Sequence, residues 1–175
     1  ADGIVAGHAR VAAAVTLVGV DNSADMLEKC REKLEVAKIE KRFELVEADL
    51  NLDFEIKNAS VVLLVLTLQF VRPLHRERLI KRIFDGLVPG GCVILVEKVL
   101  GESSHLNRQF IEHYYELKRA MGYSDLEISQ KREALENVLV PYRLTENLEL
   151  LAKIGFTQED TFFKWYNFCG IVAVK

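Results

Sequence analysis

Two aspartates carry the chemistry most readily legible in this sequence. Asp21 ends the apolar, β-branched run 15–20, and Asp49 closes a second short run at 43–46 followed by Glu47-Ala48. In an open α/β sheet, ligands bind beyond the carboxyl ends of the strands. A carboxylate at the first position can accept both hydroxyls of a ribose, and Asn22 beside it offers donors and an acceptor to the same sugar or to a base edge. At the second position a carboxylate can accept from an adenine amino group, with Leu50 flanking the base. Either aspartate alone is also an ordinary helix-cap residue after a strand. Two of them at consecutive strand ends point to an adenosyl cofactor. A nicotinamide cofactor would use the same Asp21 but needs a glycine-rich loop after the preceding strand. Residues 1–14 contain no Gly-x-Gly and no strand running into an Asp-x-Gly turn. The expectation is that the sequence lacks the N-terminal segment bearing that loop, or that its first residues are a remnant.

The elements that must position these residues follow from hydrophobic periodicity. Strands are expected at 15–20, 43–46, 59–66 and 92–96, with helices at about 24–37 and 73–87 between them. The third strand is apolar on both faces, which places it centrally in the sheet. Pro89-Gly90-Gly91 reads as the turn after the second helix. A helical insert then covers 103–121 and 125–138, broken at Gly122-Tyr123-Ser124, and a last helix runs from about 146 to 154 with Gly155 as its stop. Runs 161–168 and 170–175 have almost no connector, so they form an antiparallel hairpin. Alternation of this kind gives an α/β, doubly wound, Rossmann-like sheet, here in a single domain spanning 1–175.

Composition narrows the function. With 175 residues, half of them apolar, the chain can bury a sizeable core. Net charge −3 and a pI near 5.9 argue against a direct nucleic-acid partner, whose affinity would rest on a basic excess. The basic run Arg72, His75, Arg76, Arg78, Lys81, Arg82 is interleaved with Leu79, Ile80, Ile83 and Phe84 at helical spacing, and reads as a solvated helix face. Cys30, Cys92 and Cys169 are scattered and lack CxxC spacing, as buried reduced thiols would be. The four histidines show no HxxxH pair, so no metal site is expected. No apolar run reaches membrane-spanning length and no signal peptide is visible, which leads to the expectation of a cytoplasmic protein without a membrane partner.

From about Val15 onward the chain resembles the carboxy-S-adenosylmethionine synthase family, long described as tRNA wobble-uridine methyltransferases, within the class I S-adenosylmethionine-dependent methyltransferase fold. The residues that carry the resemblance are Val20-Asp21-Asn22-Ser23, Asn58-Ala59-Ser60 and Leu66-Thr67-Leu68-Gln69-Phe70. The most specific are Gly122-Tyr123-Ser124 with Ser129-Gln130-Lys131-Arg132, then Leu135-Glu136-Asn137-Val138 and Tyr166-Asn167-Phe168. What the resemblance implies is a methyltransferase-like sheet ending in the antiparallel hairpin, and a homodimer built partly by the helical insert. It also implies S-adenosylmethionine carboxylated at its methyl at the expense of prephenate, giving carboxy-S-adenosylmethionine and phenylpyruvate for tRNA wobble-uridine modification. Arg132 would then hold the new carboxylate, while Asp21, Asn22, Asp49 and Leu50 hold the nucleoside. Its other role would be a surface charge paired with Glu136 one helical turn on. The family typically has Asn where this chain has Val65, two residues before Thr67, which removes a polar group from the cofactor pocket. No catalytic base stands out, since Lys98 and Tyr123 qualify by type only. A methyltransferase acting on tRNA or a small molecule, and a binding module that has lost its cofactor, are the competing readings.

Overall fold

The computed structural model describes residues 15–37, 43–52 and 54–175. In chain order its elements are β1 (Leu17–Asp21), α1 (Ala24–Val36), β2 (Phe43–Glu47), β3 (Ala59–Val65), α2 (Pro73–Gly86) and β4 (Leu87–Lys98). They continue with α3 (Ser104–Ala120), α4 (Asp125–Leu135), α5 (Leu144–Ile154), β5 (Gln158–Trp165) and β6 (Phe168–Val174). Residues 1–14, on which the missing glycine loop was argued, lie outside the described residues. The chain divides into two compact units, one ending at Phe54 and one spanning Glu55–Lys175.

In the first unit β1 and β2 run parallel, paired from Leu17↔Phe43 to Asp21↔Glu47. Between them the chain turns into α1, because Ser23 Oγ accepts from Met26 N and so satisfies a donor that a first helical turn leaves unpaired. The same device starts α3 (Ser103 to Leu106 N) and α4, where Ser124 and Glu127 form a reciprocal capping box.

The second unit is a four-stranded sheet in the order β3-β4-β6-β5. The β3–β4 pair is parallel and the remaining pairs are antiparallel. Alternate residues along β4 and just past its end explain the core: Val93, Leu95 and Val99 are almost fully buried, as are Leu79, Ile80 and Ile83 of α2, Leu151 of α5 and Ile171 of β6. Phe84 and Phe156 meet edge to face at 5.0 Å where α2 approaches the end of α5.

The α/β order, the helical insert and the terminal hairpin are those expected, with four local differences. Pro89-Gly90-Gly91 is not a helix-to-strand turn. It lies within β4, where the pairing jumps from Ala59↔Leu87 to Val61↔Cys92 and Gly90 takes φ 76°. The hairpin turns at Tyr166-Asn167, with Tyr166 at φ 46°, three residues before the expected break. α4 stops at Leu135 because Glu136 turns extended (ψ 131°), and Asn137 then enters the left-handed region at φ 60°. Among the described strands, β3 pairs only with β4, at the edge of its sheet, and Val61, Leu63 and Val65 are exposed. An apolar run on both faces implies cover on both, and within this unit only the Val62–Leu64 side receives it.

Gly86, the last residue of α2, shows how closely this unit is packed. A Cβ there would lie 2.4 Å from Ile56 O and 2.7 Å from Ile56 Cβ. Gly86→Ala is expected to lower stability by about 1–3 kcal/mol, read as a reduced urea midpoint at unchanged slope.

Candidate functional site

In the first unit the structure brings Asp21 and Asp49 to the same end of a parallel strand pair. Asp21 is the last residue of β1, and the next link between the strands is Ala48 N donating to Asp21 O at 3.0 Å. One carboxylate oxygen of Asp21 accepts from Ser23 N at 2.9 Å, which fixes the side chain across the helix entrance. Asp49 is fixed in the same way: its Oδ1 accepts from both the backbone N and the side-chain Nδ2 of Asn51, each at 2.8 Å. Asp21, Asp49 and Leu50 are half-buried and Asn22 is exposed. Half-buried acceptors held rigidly at strand ends suit the diol and amino group of an adenosine, because each keeps its orientation without the ligand.

In the second unit Val65 ends β3 with 46% of its surface exposed, and Leu66 follows in the left-handed region at φ 53°. The turn after it, Leu68–Phe70, is held by a residue that reading the sequence did not single out. Glu97 is 2% exposed, and its Oε1 accepts from Thr67 N (3.1 Å) and Leu68 N (2.9 Å) while Oε2 accepts from Gln69 N (3.1 Å). Gln69 in turn accepts from Lys98 N through its side chain (3.0 Å) and from Val140 N through its carbonyl (2.9 Å). Arg76 completes the cluster. Its Nε donates to Val71 O (2.9 Å), and its Nη2 donates to Gln69 O (3.3 Å) and Val140 O (2.6 Å). Its guanidinium lies 4.1 Å over the Tyr142 ring.

Arg76 therefore departs from the solvated face expected of its basic run. Arg72, Arg78 and Lys81 are exposed, but Arg76 is 1% exposed, one helical turn before Leu79 and Ile80 on the stripe they share with Ile83. Burial lowers its pKa below the ordinary arginine value. The signal for Glu97 was present in the sequence: it continues the core-facing alternation Val93, Leu95, Glu97, Val99.

Arg132 lies in the last turn of α4, on the wall of a cavity of about 560 Å³. Its side chain makes no ion pair with Glu136 among the described residues. Lys98, Tyr114, Lys118 and Lys131 line the same cavity, and Ile128 and Leu135 supply apolar wall. Lys98 Nζ lies 4.6 Å and Lys118 Nζ 4.8 Å from the centre of the Tyr114 ring. Burial holds the Lys98 pKa below the ordinary lysine value, and Lys118 lowers it further; burial and then Lys131 do the same to Lys118. Tyr123, the other candidate by type, is exposed and does not line this cavity. Cys169 is buried, which pushes its thiol up to about 11, and Cys30 and Cys92 are half-buried free thiols. Among the described residues no group of three His, Cys, Asp or Glu could hold a metal ion, and no helix is long and apolar enough to cross a membrane.

This arrangement has relatives. The chain is 62% identical over 161 residues to the carboxy-S-adenosyl-L-methionine synthase of Methylococcus capsulatus, covering 92% of this chain and 66% of that protein. It is 45% identical to the enzyme of the same name from Desulfotalea psychrophila, over 92% of this chain and 65% of that one. The chain thus spans about two thirds of the length of these curated relatives. Among solved structures, an O-methyltransferase family 2 protein from Planctomyces limnophilus in complex with apigenin has a TM-score of 0.63 at 22% identity, over 90% of this chain and 43% of that one. The S-adenosylmethionine-dependent methyltransferase SibL has a TM-score of 0.61 at 18% identity, over 91% and 43% respectively. Both show the class I methyltransferase fold, as the strand order and the terminal hairpin already indicated. A family model described as a methyltransferase domain matches residues 2–91, from before β1 to the Pro-Gly-Gly of β4, so the chain belongs to the methyltransferase-domain family.

Proposed function

We propose that the protein is a carboxy-S-adenosyl-L-methionine synthase, converting S-adenosylmethionine and prephenate to carboxy-S-adenosylmethionine and phenylpyruvate. When bound, S-adenosylmethionine supplies a methyl carbon acidified by its sulfonium, which exchanges a proton for the carboxyl that prephenate gives up, while the ring hydroxide leaves and takes that proton as water. Asp21 and Asn22 would accept from and orient the ribose, and Asp49 and Leu50 would hold the adenine. Arg132 would pair with the new carboxylate through two parallel N–H donors. The reading extends to a cytoplasmic homodimer whose product serves tRNA wobble-uridine modification, with no direct contact to nucleic acid or membrane.

The observation that carries the proposal is Arg132, which is not neutralised by Glu136 and stands on the wall of a cationic cavity. The relatives' shared name supports it. Val65 favours the second reading, a methyltransferase acting on tRNA or a small molecule, because it puts an apolar side chain where the family typically has Asn.

Mass spectrometry of the small molecule released on denaturing the full-length protein separates the two. The expected result is a carboxylated nucleoside, reduced about tenfold or more in Arg132→Ala, since a charge-assisted bidentate contact is worth about 1.5–3 kcal/mol. Release of unmodified S-adenosylmethionine alone, with methyl transfer to tRNA, would establish the second reading instead.

A further inference from the structure

The cavity beside Arg132 adjoins a smaller one of about 140 Å³, and Lys98, Tyr114, Tyr115 and Leu139 line both. Asn167, in the β5–β6 turn, lines the smaller cavity and not the larger. Asn167 is 3% exposed, and its Oδ1 is buried without a hydrogen-bond partner. A buried acceptor left unpaired costs about 1–3 kcal/mol, so natural structures fill such positions. Lys98 and Lys118 both stand against the ring of Tyr114, and neither ammonium has a carboxylate partner among the described residues. Glu133 in α4 and Glu136 just past its end also line the larger cavity, but both are exposed and make no ion pair with either lysine. Cations gathered about a half-buried ring are mutually repulsive until an anion joins them.

From this pairing of an unfilled acceptor with uncompensated cations, we propose that the adjoining cavities bind the co-substrate. They would take a small organic acid whose carboxylate sits between Lys98 and Lys118 and whose hydroxyl donates to Asn167 Oδ1. The apolar body of such a ligand would lie against Tyr114 and Leu139. Arg132 is then left for the carboxylate on the adenosyl partner, so each anion has its own cation. This assignment rests on the synthase reading, and it adds to it Lys98, Lys118 and Asn167 as the residues that select the acid.

Calorimetric titration of the full-length protein tests it, with two probes. Phenylpyruvate carries one carboxylate and no ring hydroxyl; prephenate carries a second carboxylate and the hydroxyl. Lys118→Gln is expected to weaken both about tenfold, with Lys118→Arg restoring most of the affinity. Asn167→Ala is expected to weaken prephenate by about fivefold or more and leave phenylpyruvate within a factor of two. Should Lys118→Gln bind both probes as the wild type does, or Asn167→Ala lose both equally, the assignment is overturned. Lys118 is partly exposed on α3, so its substitution leaves the core intact. The released nucleoside, measured separately, reports on the synthase reading: protein that binds these acids but releases no adenosyl compound would sink that reading and not this site.

Discussion

Between about pH 4.5 and pH 7 the protein is expected to lose about 3 kcal/mol of stability through one side chain, and Glu97→Gln to abolish that loss. Burial on the core face of β4 raises the Glu97 carboxyl from 4.5 to about 7. The three backbone donors at Thr67, Leu68 and Gln69 and the charge of Arg76 pull the other way and do not cancel it. In this window the folded state holds a proton that the unfolded chain releases. The contribution is therefore complete below about pH 4.5, declines as pH rises, and is gone once pH passes 7. Glutamine cannot titrate, so its curve loses this slope. It also turns an amide N–H toward at least one backbone N–H that needs an acceptor, which costs about 1–3 kcal/mol at low pH. Urea unfolding at pH 5 and pH 7.5 reads both effects. Parallel pH dependence in the two proteins would show that Glu97 keeps an ordinary carboxyl.

The larger loss is expected from Arg76→Ala, at about 3–5 kcal/mol. Truncation removes the donors to Val71 O, Gln69 O and Val140 O and opens a void beside the Tyr142 ring. The carbonyls of Val71 and Gln69, residues 3% and 5% exposed, are too deep to recruit bulk water. Because these bonds tie the turn after β3 to the segment leading into α5, the substitution also loosens Gln69 and Val71 against Val140. Arg76→Lys should recover only part of the loss: an ammonium is a point donor and cannot reach acceptors spread around a planar fork. The urea midpoint measures this directly. An Arg76→Ala protein within about 1 kcal/mol of wild type would mean that the guanidinium is not the tie described here.

Patterns with a short range were legible in the amino-acid order alone. Ser23, Ser103 and Ser124 each stand one residue before a helix because capping is local chemistry, and Gly155 ends α5 for the same reason. Asp21 and Asp49 were legible as a pair because a strand ending in an acid can be recognised without knowing its neighbours. Their placement at the same end of the strand pair then needed only the parallel pairing of β1 with β2.

Tertiary structure decided what no local pattern encodes. Arg76 shares a run with exposed arginines, and only the carbonyls brought to it from residues 69, 71 and 140 make burial of its charge tolerable. Glu97 fits the alternation of a core strand, yet its partners lie about thirty positions earlier. Pro89-Gly90-Gly91 has turn chemistry, but β3 alongside recruits it into a bulged strand. The cationic cavity joins the end of β4, α3 and α4, with Asn167 from the last hairpin lining the smaller one that adjoins it. A sequence specifies each of those side chains; the distances among them exist only once the chain has closed on itself.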